Sequence, residues 1–223
     1  EPAGIHGRIR SQGDKLLYSG KEIKLWGINN TYGDCAPERE LADKRAAFYR
    51  KYGINAVRLH KYADQQAPRG IQSEDSFSEL DPATLDRMDY FVAQLKQRGI
   101  YVLLSPTFGV KLGPDDRRYV PYMNEFGQGR NRVSSGHGSV FLARELQDLQ
   151  IRQMVKILEH KNPYTGMTYA DDPAVAVVEL FNEDSALFFG TLSLLQQIPT
   201  LRRRASAQFC RWLKAKYGSK DAV

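Results

Sequence analysis

An amide and a carboxyl group, Asn182 and Glu183, stand side by side after the apolar run Val177-Val178-Glu179-Leu180-Phe181. A buried strand ending in this pair brings both groups to one margin of a sheet. In partly apolar surroundings a carboxylic acid keeps its proton more readily than in water, because burial disfavours the charge. It can then protonate a leaving oxygen near neutral pH, so Glu183 reads as a general acid/base. The amide of Asn182 suits a hydrogen bond to a hydroxyl beside the reacting carbon. The same two residues could simply open a loop, so the pattern around them has to carry the reading.

Polar residues also fall at the ends of earlier apolar runs: Asn29 and Asn30 after Ile28, then Arg58 and His60. His60 follows Arg58 by two positions and shares its side if the strand runs on. It reads as a substrate contact, with a packed structural histidine as the alternative. Asn30, Tyr62 and His137 are further candidates on the same rim, whereas His6 and His160 read as structural. The histidines show no ligand spacing, so no metal is expected. Cys35 and Cys210 lie far apart and make neither a disulfide framework nor a zinc pattern. Nothing calls for a cofactor.

The elements that must position these groups alternate. Short runs at 8–10, 15–18 and 23–28 are separated by Gln12-Gly13-Asp14 and Ser19-Gly20, so a small hairpin leads into a first core strand. A helix over 37–52 follows, with Leu41, Phe48, Tyr49 and Tyr52 near one face and Gly53 as its left-handed cap. A strand over 54–59 comes next. Asp81 caps a second helix, opened by Pro82 and striped by Leu85, Met88, Val92 and Leu95; Gly99 ends it before a strand over 100–104. The polar stretch 105–138 is a loop of the length that is usually functional or mobile. A third helix over 139–160, a turn at Asn162-Pro163-Tyr164-Thr165-Gly166 and a fourth strand over 174–181 follow. A last helix over 201–217 turns Phe209, Trp212 and Leu213 inward.

Apolar strands interleaved with helices mean a parallel sheet covered by helices, either an open doubly wound sheet or a barrel. The first strand-to-helix turn, Gly27-Ile28-Asn29-Asn30-Thr31-Tyr32-Gly33, has no G-x-G-x-x-G phosphate cradle, which argues against an open-sheet nucleotide enzyme. Polar residues gathered at the C-terminal ends of several strands belong to a barrel, whose site is built there.

Bulk properties set the outer bounds. The 223 residues are 42% hydrophobic and 26% charged, enough for one substantial core. No apolar run approaches the roughly 20 residues that cross a bilayer, so no membrane partner is expected. The net charge is +6, but Lys and Arg are spread along the helices. Only Arg202-Arg203-Arg204 form a run, without interleaved aromatics, which reads as a solvated helix face and not a nucleic-acid surface. A start at Glu1 with no leader suits a mature secreted or periplasmic protein, and an excised piece equally.

Several stretches carry a resemblance: Leu25-Trp26-Gly27-Ile28-Asn29, Gly53-Ile54-Asn55-Ala56-Val57-Arg58-Leu59-His60, residues 95–103 (LKQRGIYVL), Asn162-Pro163-Tyr164-Thr165-Gly166, and the run from Asp172-Pro173-Ala174 to Asn182-Glu183. In these the chain resembles a clan A glycoside hydrolase, in the style of the family 5 cellulases and mannanases, over nearly its whole length. The resemblance implies an α/β fold of the (β/α)8 TIM-barrel type with Asn182-Glu183 ending the fourth strand. It makes Glu183 the acid/base of a retaining β-glycoside hydrolase acting on a polysaccharide or oligosaccharide. Asn182 then contacts the sugar 2-hydroxyl, and Arg58 holds the nucleophile carboxylate ionised and oriented, as a nearby guanidinium can.

Two features depart from that family. Ser105-Pro106-Thr107-Phe108 stands where many relatives place a histidine. A retaining enzyme also needs two carboxylates about 5–5.5 Å apart, and in this clan the second is a Glu of the seventh strand. Only about four β/α units are legible here. We therefore expect the N-terminal half of a catalytic barrel, with residues 1–22 as a hairpin lead-in and 23–223 as units one to four. Its expected partners are a carbohydrate substrate and the remainder of the same barrel, or another chain covering the open edges. The isolated chain is expected to lack glycosidase activity. A non-catalytic carbohydrate-binding or scaffold protein with a degenerate barrel is the alternative. Tyr, Phe and Asn on the rim suit sugar stacking without distinguishing one polysaccharide from another.

Overall fold

The computed structural model describes residues 1–218 and opens with three short antiparallel strands, β1 (Arg10–Gln12), β2 (Lys15–Tyr18) and β3 (Lys21–Glu22). The expected hairpin is thus a three-stranded sheet. Ile9, Tyr18, Ile23 and Leu25 pack on Ala3, Tyr101 and Ala174, at the entry to two core strands. This small sheet closes the N-terminal end of the core, opposite the end that carries the polar residues.

The core alternates strand and helix as anticipated. After β4 (Gly27–Thr31) come α1 (Arg39–Lys51), β5 (Ala56–His60), α2 (Pro82–Gln97) and β6 (Tyr101–Ser105). The stretch beyond β6 holds a two-stranded ribbon, β7 (Lys111–Leu112) with β8 (Val133–Ser134), and leads to α3 (Arg144–Glu159). Then β9 (Val175–Val178), α4 (Thr191–Gln197) and α5 (Pro199–Tyr217) complete the described chain. β4, β5, β6 and β9 form one parallel sheet in that order, consistent with part of a TIM barrel.

Local chemistry explains α2 well. The Asp81 carboxylate accepts hydrogen bonds from the Thr84 N–H at 2.8 Å and its hydroxyl at 2.7 Å, and Pro82 opens the first turn. Leu85, Met88, Val92 and Leu95 are all buried against the sheet, each contributing about 1.5–3 kcal/mol. α1 differs from expectation. Its buried face is Ala42, Ala46 and Tyr49, whereas Leu41, Phe48 and Tyr52 are exposed. Ala42 and Ala46, four residues apart, let this helix approach its neighbours closely, and of the expected face only Tyr49 is covered.

The stretch after β6 is not a loose loop. Val110, Leu112, Val120, Met123 and Val133 form a second core with Phe77, Leu146 and Leu149. Buried Asp116 ties it down, accepting from Ser76 Oγ, the Phe77 N–H and the Gly113 N–H at 2.7–2.8 Å. Leu194 and Leu201 join this core, but the rest of α5 leaves it. Phe209 and Trp212 are 58% and 50% exposed, so their expected inward packing does not occur. Leu201 is the buried anchor of that helix.

Candidate active site

The helices cover one face of the parallel sheet, and its other face presents the polar residues. Register decides which ones. Asn29 lies opposite Arg58, Arg58 opposite Leu103, and His60 opposite Ser105. β9 joins this face only after a change of phase. Val175 pairs with Val102 and packs in the helix-side core, yet Val177 pairs with Leu103. The extra residue, Ala176, is a bulge that shifts every following side chain to the other face. Glu179 thereby points at Arg58.

Arg58 is the centre of the site. Its Nε and Nη2 donate to Glu179 Oε2 at 2.9 and 2.7 Å. Nη2 also reaches Asn182 Oδ1 at 2.5 Å and Ser105 Oγ at 3.2 Å, and Nη1 reaches Asn29 Oδ1 at 3.1 Å. One planar fork thus orients four side chains from three other strands or their ends. His60 Nδ1 lies 2.8 Å from Ser105 Oγ, which links the ring to the same network. Burial, helped by the charges of Arg58 and Lys61, pushes the His60 pKa down to about 4. The imidazole is therefore neutral at physiological pH.

The strand proper ends at Val178, earlier than the sequence suggests, although the Glu179 N–H still bonds to the Leu104 carbonyl at 2.8 Å. Asn182 is buried, and Glu183 beside it is exposed with a left-handed φ of 50°. The partly apolar setting expected for Glu183 is not formed by the described residues, and none of the bonds around Arg58 reaches it. The turn that carries Glu183 is tied to the neighbouring loop by Asp184 Oδ1, which accepts the Gly138 N–H at 2.8 Å. Gly138 is required there. Its φ is +78°, and a Cβ would sit 2.3 Å from Thr191 Oγ1.

Three other expected rim residues are distributed differently. Asn30 alternates to the opposite face from Asn29 and accepts from the Tyr49 hydroxyl of α1. Tyr62 is fully buried in the helix-side core, so it cannot contact a ligand at the rim. His137 does stand on the rim, between the rings of Phe108 and Phe188. His6 bonds to Glu1, and His160 pairs with buried Asp89, which also accepts from Tyr169. Sequence reasoning missed Glu179 and Ser105 as members of the network. A charged residue inside an otherwise apolar strand was the available signal for Glu179. Behind the rim, buried Asp64 accepts the Phe108 N–H at 2.8 Å, and burial pushes its pKa up to about 6. Among the described residues no group of three His, Cys, Asp or Glu gathers to hold a metal ion.

A parallel α/β sheet with an arginine-centred network at its strand ends defines a chain of the TIM-barrel type whose candidate site lies at the C-terminal margin of the sheet. Its relatives make this more specific. The chain is 25% identical over 179 residues to mannan endo-1,4-beta-mannosidase 2 of Oryza sativa subsp. japonica, covering 78% of this chain and 39% of that protein. It is 23% identical over 182 residues to mannan endo-1,4-beta-mannosidase 2 of Arabidopsis thaliana, covering 78% and 40%. The chain therefore spans about two-fifths of the length of these curated relatives.

Among solved structures, the endo-1,4-beta-mannanase of Rhizomucor miehei matches with a TM-score of 0.56 at 16% identity, over 87% of this chain and 57% of that one. A glycoside hydrolase family 5 mannosidase of the same organism matches with a TM-score of 0.57 at 15% identity, over 86% and 53%. No protein-family model matches the chain. The chain is thus related, over part of their length, to the clan A glycoside hydrolases of the family 5 mannanase type.

Proposed function

We propose that this chain is the acid/base-bearing half of a retaining β-glycoside hydrolase acting on a β-1,4-mannan or a related polysaccharide. The observation that carries the proposal is the geometry at the strand ends. Arg58 holds Asn182 by its Oδ1 at 2.5 Å, which leaves the Asn182 Nδ2 free to donate to a substrate hydroxyl. Glu183 follows directly, on a turn pinned by Asp184. In this reading Glu183 protonates the glycosidic oxygen as the bond breaks. It then takes a proton from the water that attacks the glycosyl-enzyme intermediate. Asn182 grips the 2-hydroxyl, where a hydrogen bond strengthens as charge develops at the neighbouring carbon.

The nucleophile is a second carboxylate, contributed by a segment that completes the barrel and lying about 5–5.5 Å from the Glu183 carboxyl. That segment also covers the open inner face and encloses Glu183, giving it the partly apolar surroundings an acid catalyst needs. Glu179 is committed to Arg58 and belongs to the support of the site. The substrate assignment draws on the mannan-directed names of the relatives. The test is mannan hydrolysis by the full-length protein and its Glu183→Gln variant. Loss of turnover with retained fold is expected. Turnover by the variant at the unsubstituted rate would sink Glu183 as the acid/base, and no hydrolysis by the unsubstituted protein would favour a non-catalytic carbohydrate-binding protein.

A further inference from the structure

Three cations gather on the rim beside the arginine network. Lys61 follows His60 and leaves β5 with a left-handed φ of 57°, its N–H donating to the Ser105 carbonyl at 2.9 Å. That turn sets its ammonium over the Phe108 ring, 4.2 Å from the centroid, and Phe108 shares a small cleft with Asn182 and Asp184. Arg69 is exposed on the loop that folds back after β5 and packs against Gly33, in the turn after β4. Lys111 lies on β7, where its carbonyl accepts from Gln72 Nε2 at 2.9 Å. Its neighbour Leu112 is in the second core, so alternation turns the Lys111 side chain out of that core.

Among the described residues none of the three forms an ion pair, whereas even exposed Lys15, Arg39 and Lys44 do. Asp64 is close by, but it is buried behind the rim and accepts the Phe108 N–H. Burial, with the charges of Arg132, Lys61 and Arg69, holds the Lys111 pKa below the usual lysine value against the pull of Asp64. Arg132 itself has Asp116, Glu74 and Asp75 near it, so its charge is answered within the protein. Like charges gathered on a rim repel one another, and an anion placed among them relieves that repulsion. A nucleic acid calls for a longer track of phosphate contacts with stacking platforms. Three cations beside a site for sugar hydroxyls match one anionic group on a sugar. A uronic acid keeps the pyranose ring and adds a carboxylate at C6.

We propose that Lys61, Arg69 and Lys111 recognise the carboxylate of a uronic acid unit, so that the polysaccharide presented to Glu183 is an acidic relative of mannan. The proposal rests on the glycosidase reading and names the substrate class within it. The matched probes are mannohexaose and the β-1,4-linked hexamer of mannuronic acid, which differ only in the C6 carboxylates. Calorimetry on the full-length protein carrying Glu183→Gln should give the acidic hexamer a Kd lower by roughly tenfold, with the gap closing as salt is added. Lys61→Met, Lys111→Met and the exposed Arg69→Gln should each shrink the ratio of the two affinities roughly threefold to tenfold. Lys214→Met, an exposed lysine on α5, is the control and leaves the ratio alone. Equal affinity for the two hexamers, no binding of the acidic one, or an unchanged ratio in both Arg69→Gln and the Lys61→Met/Lys111→Met double variant overturns the proposal. Unaltered turnover of mannan in Glu183→Gln overturns the glycosidase reading instead and leaves the charge preference to its own measurement, which keeps the two failures apart.

Discussion

Replacing Arg58 with Met keeps most of the side-chain volume and removes the fork that joins β5 to the end of β9. The side chains of Arg58 and Glu179 are 27% and 30% exposed, so the pair lies between two limits. Exposed ion pairs contribute about 0.2–1 kcal/mol, and breaking a fully buried pair costs about 3–5 kcal/mol. Arg58→Met also strips a donor from Asn29, Ser105 and Asn182; Asn29 is exposed and Ser105 keeps its contact with His60, whereas the Asn182 carbonyl is buried. We expect a loss of about 2 kcal/mol for Arg58→Met. Glu179→Leu leaves the guanidinium its three neutral acceptors and should cost about 1 kcal/mol. Removing both partners avoids the unpaired charge, so the double variant should cost about 1 kcal/mol less than the two singles together. Urea unfolding followed by far-UV circular dichroism, with an unchanged denaturant slope, measures all three. Additivity to within about 0.3 kcal/mol would refute the claim that this pair organises the site.

Three further outcomes follow from the same structure. His60 stays neutral in the folded chain down to about pH 4, whereas the unfolded chain protonates it near about 6.5. Its contribution is therefore present above the unfolded pKa and is lost as pH falls toward 4, up to about 3 kcal/mol. His60→Gln should flatten the urea midpoint across that window. Asp64 has the opposite sign. Its pKa is raised to about 6, so its contribution is complete below the unfolded value and is lost as pH rises through 6. Asp64→Asn keeps an acceptor for the Phe108 N–H and should raise neutral-pH stability by on the order of 2 kcal/mol, with little effect in acid. The two slopes oppose each other, so the variants, not the unsubstituted profile, separate them. Leu201→Ala should cost about 2–3 kcal/mol, because Leu201 anchors α5 in the second core. Trp212→Ala should stay within about 0.5 kcal/mol in this chain, as measured by thermal unfolding.

Much of the architecture was legible in the residues. A capping Asp, a Pro in the first turn and four apolar residues at helical spacing defined α2, because each acts within a few residues of itself. The order of strands and helices, and the gathering of polar residues at strand ends, followed from the same local signals. α1 and α5 show where those signals end. A helix carries its stripe in its sequence, but a neighbour decides which face is covered. Ala42 and Ala46 are buried because α1 lies close to its partners, and Phe209 and Trp212 are exposed because α5 leaves the core after Leu201.

The site divides in the same way. The residue types at Arg58, Asn182 and Glu183 are written in the chain, and they were enough to propose an acid, an amide and a supporting guanidinium. Which of Asn29 and Asn30 faces Arg58 was not, nor was the turning of Glu179 toward it. Alternation along a strand is a relative period, with no absolute phase until the strand is paired. Hydrogen bonding to β5 brought Asn29 opposite Arg58, and the bulge at Ala176, created by pairing with β6, reversed the phase of β9. The sequence by itself determined which chemical groups this chain carries to the margin of its sheet. Only the tertiary pairing of its strands decided which of them meet.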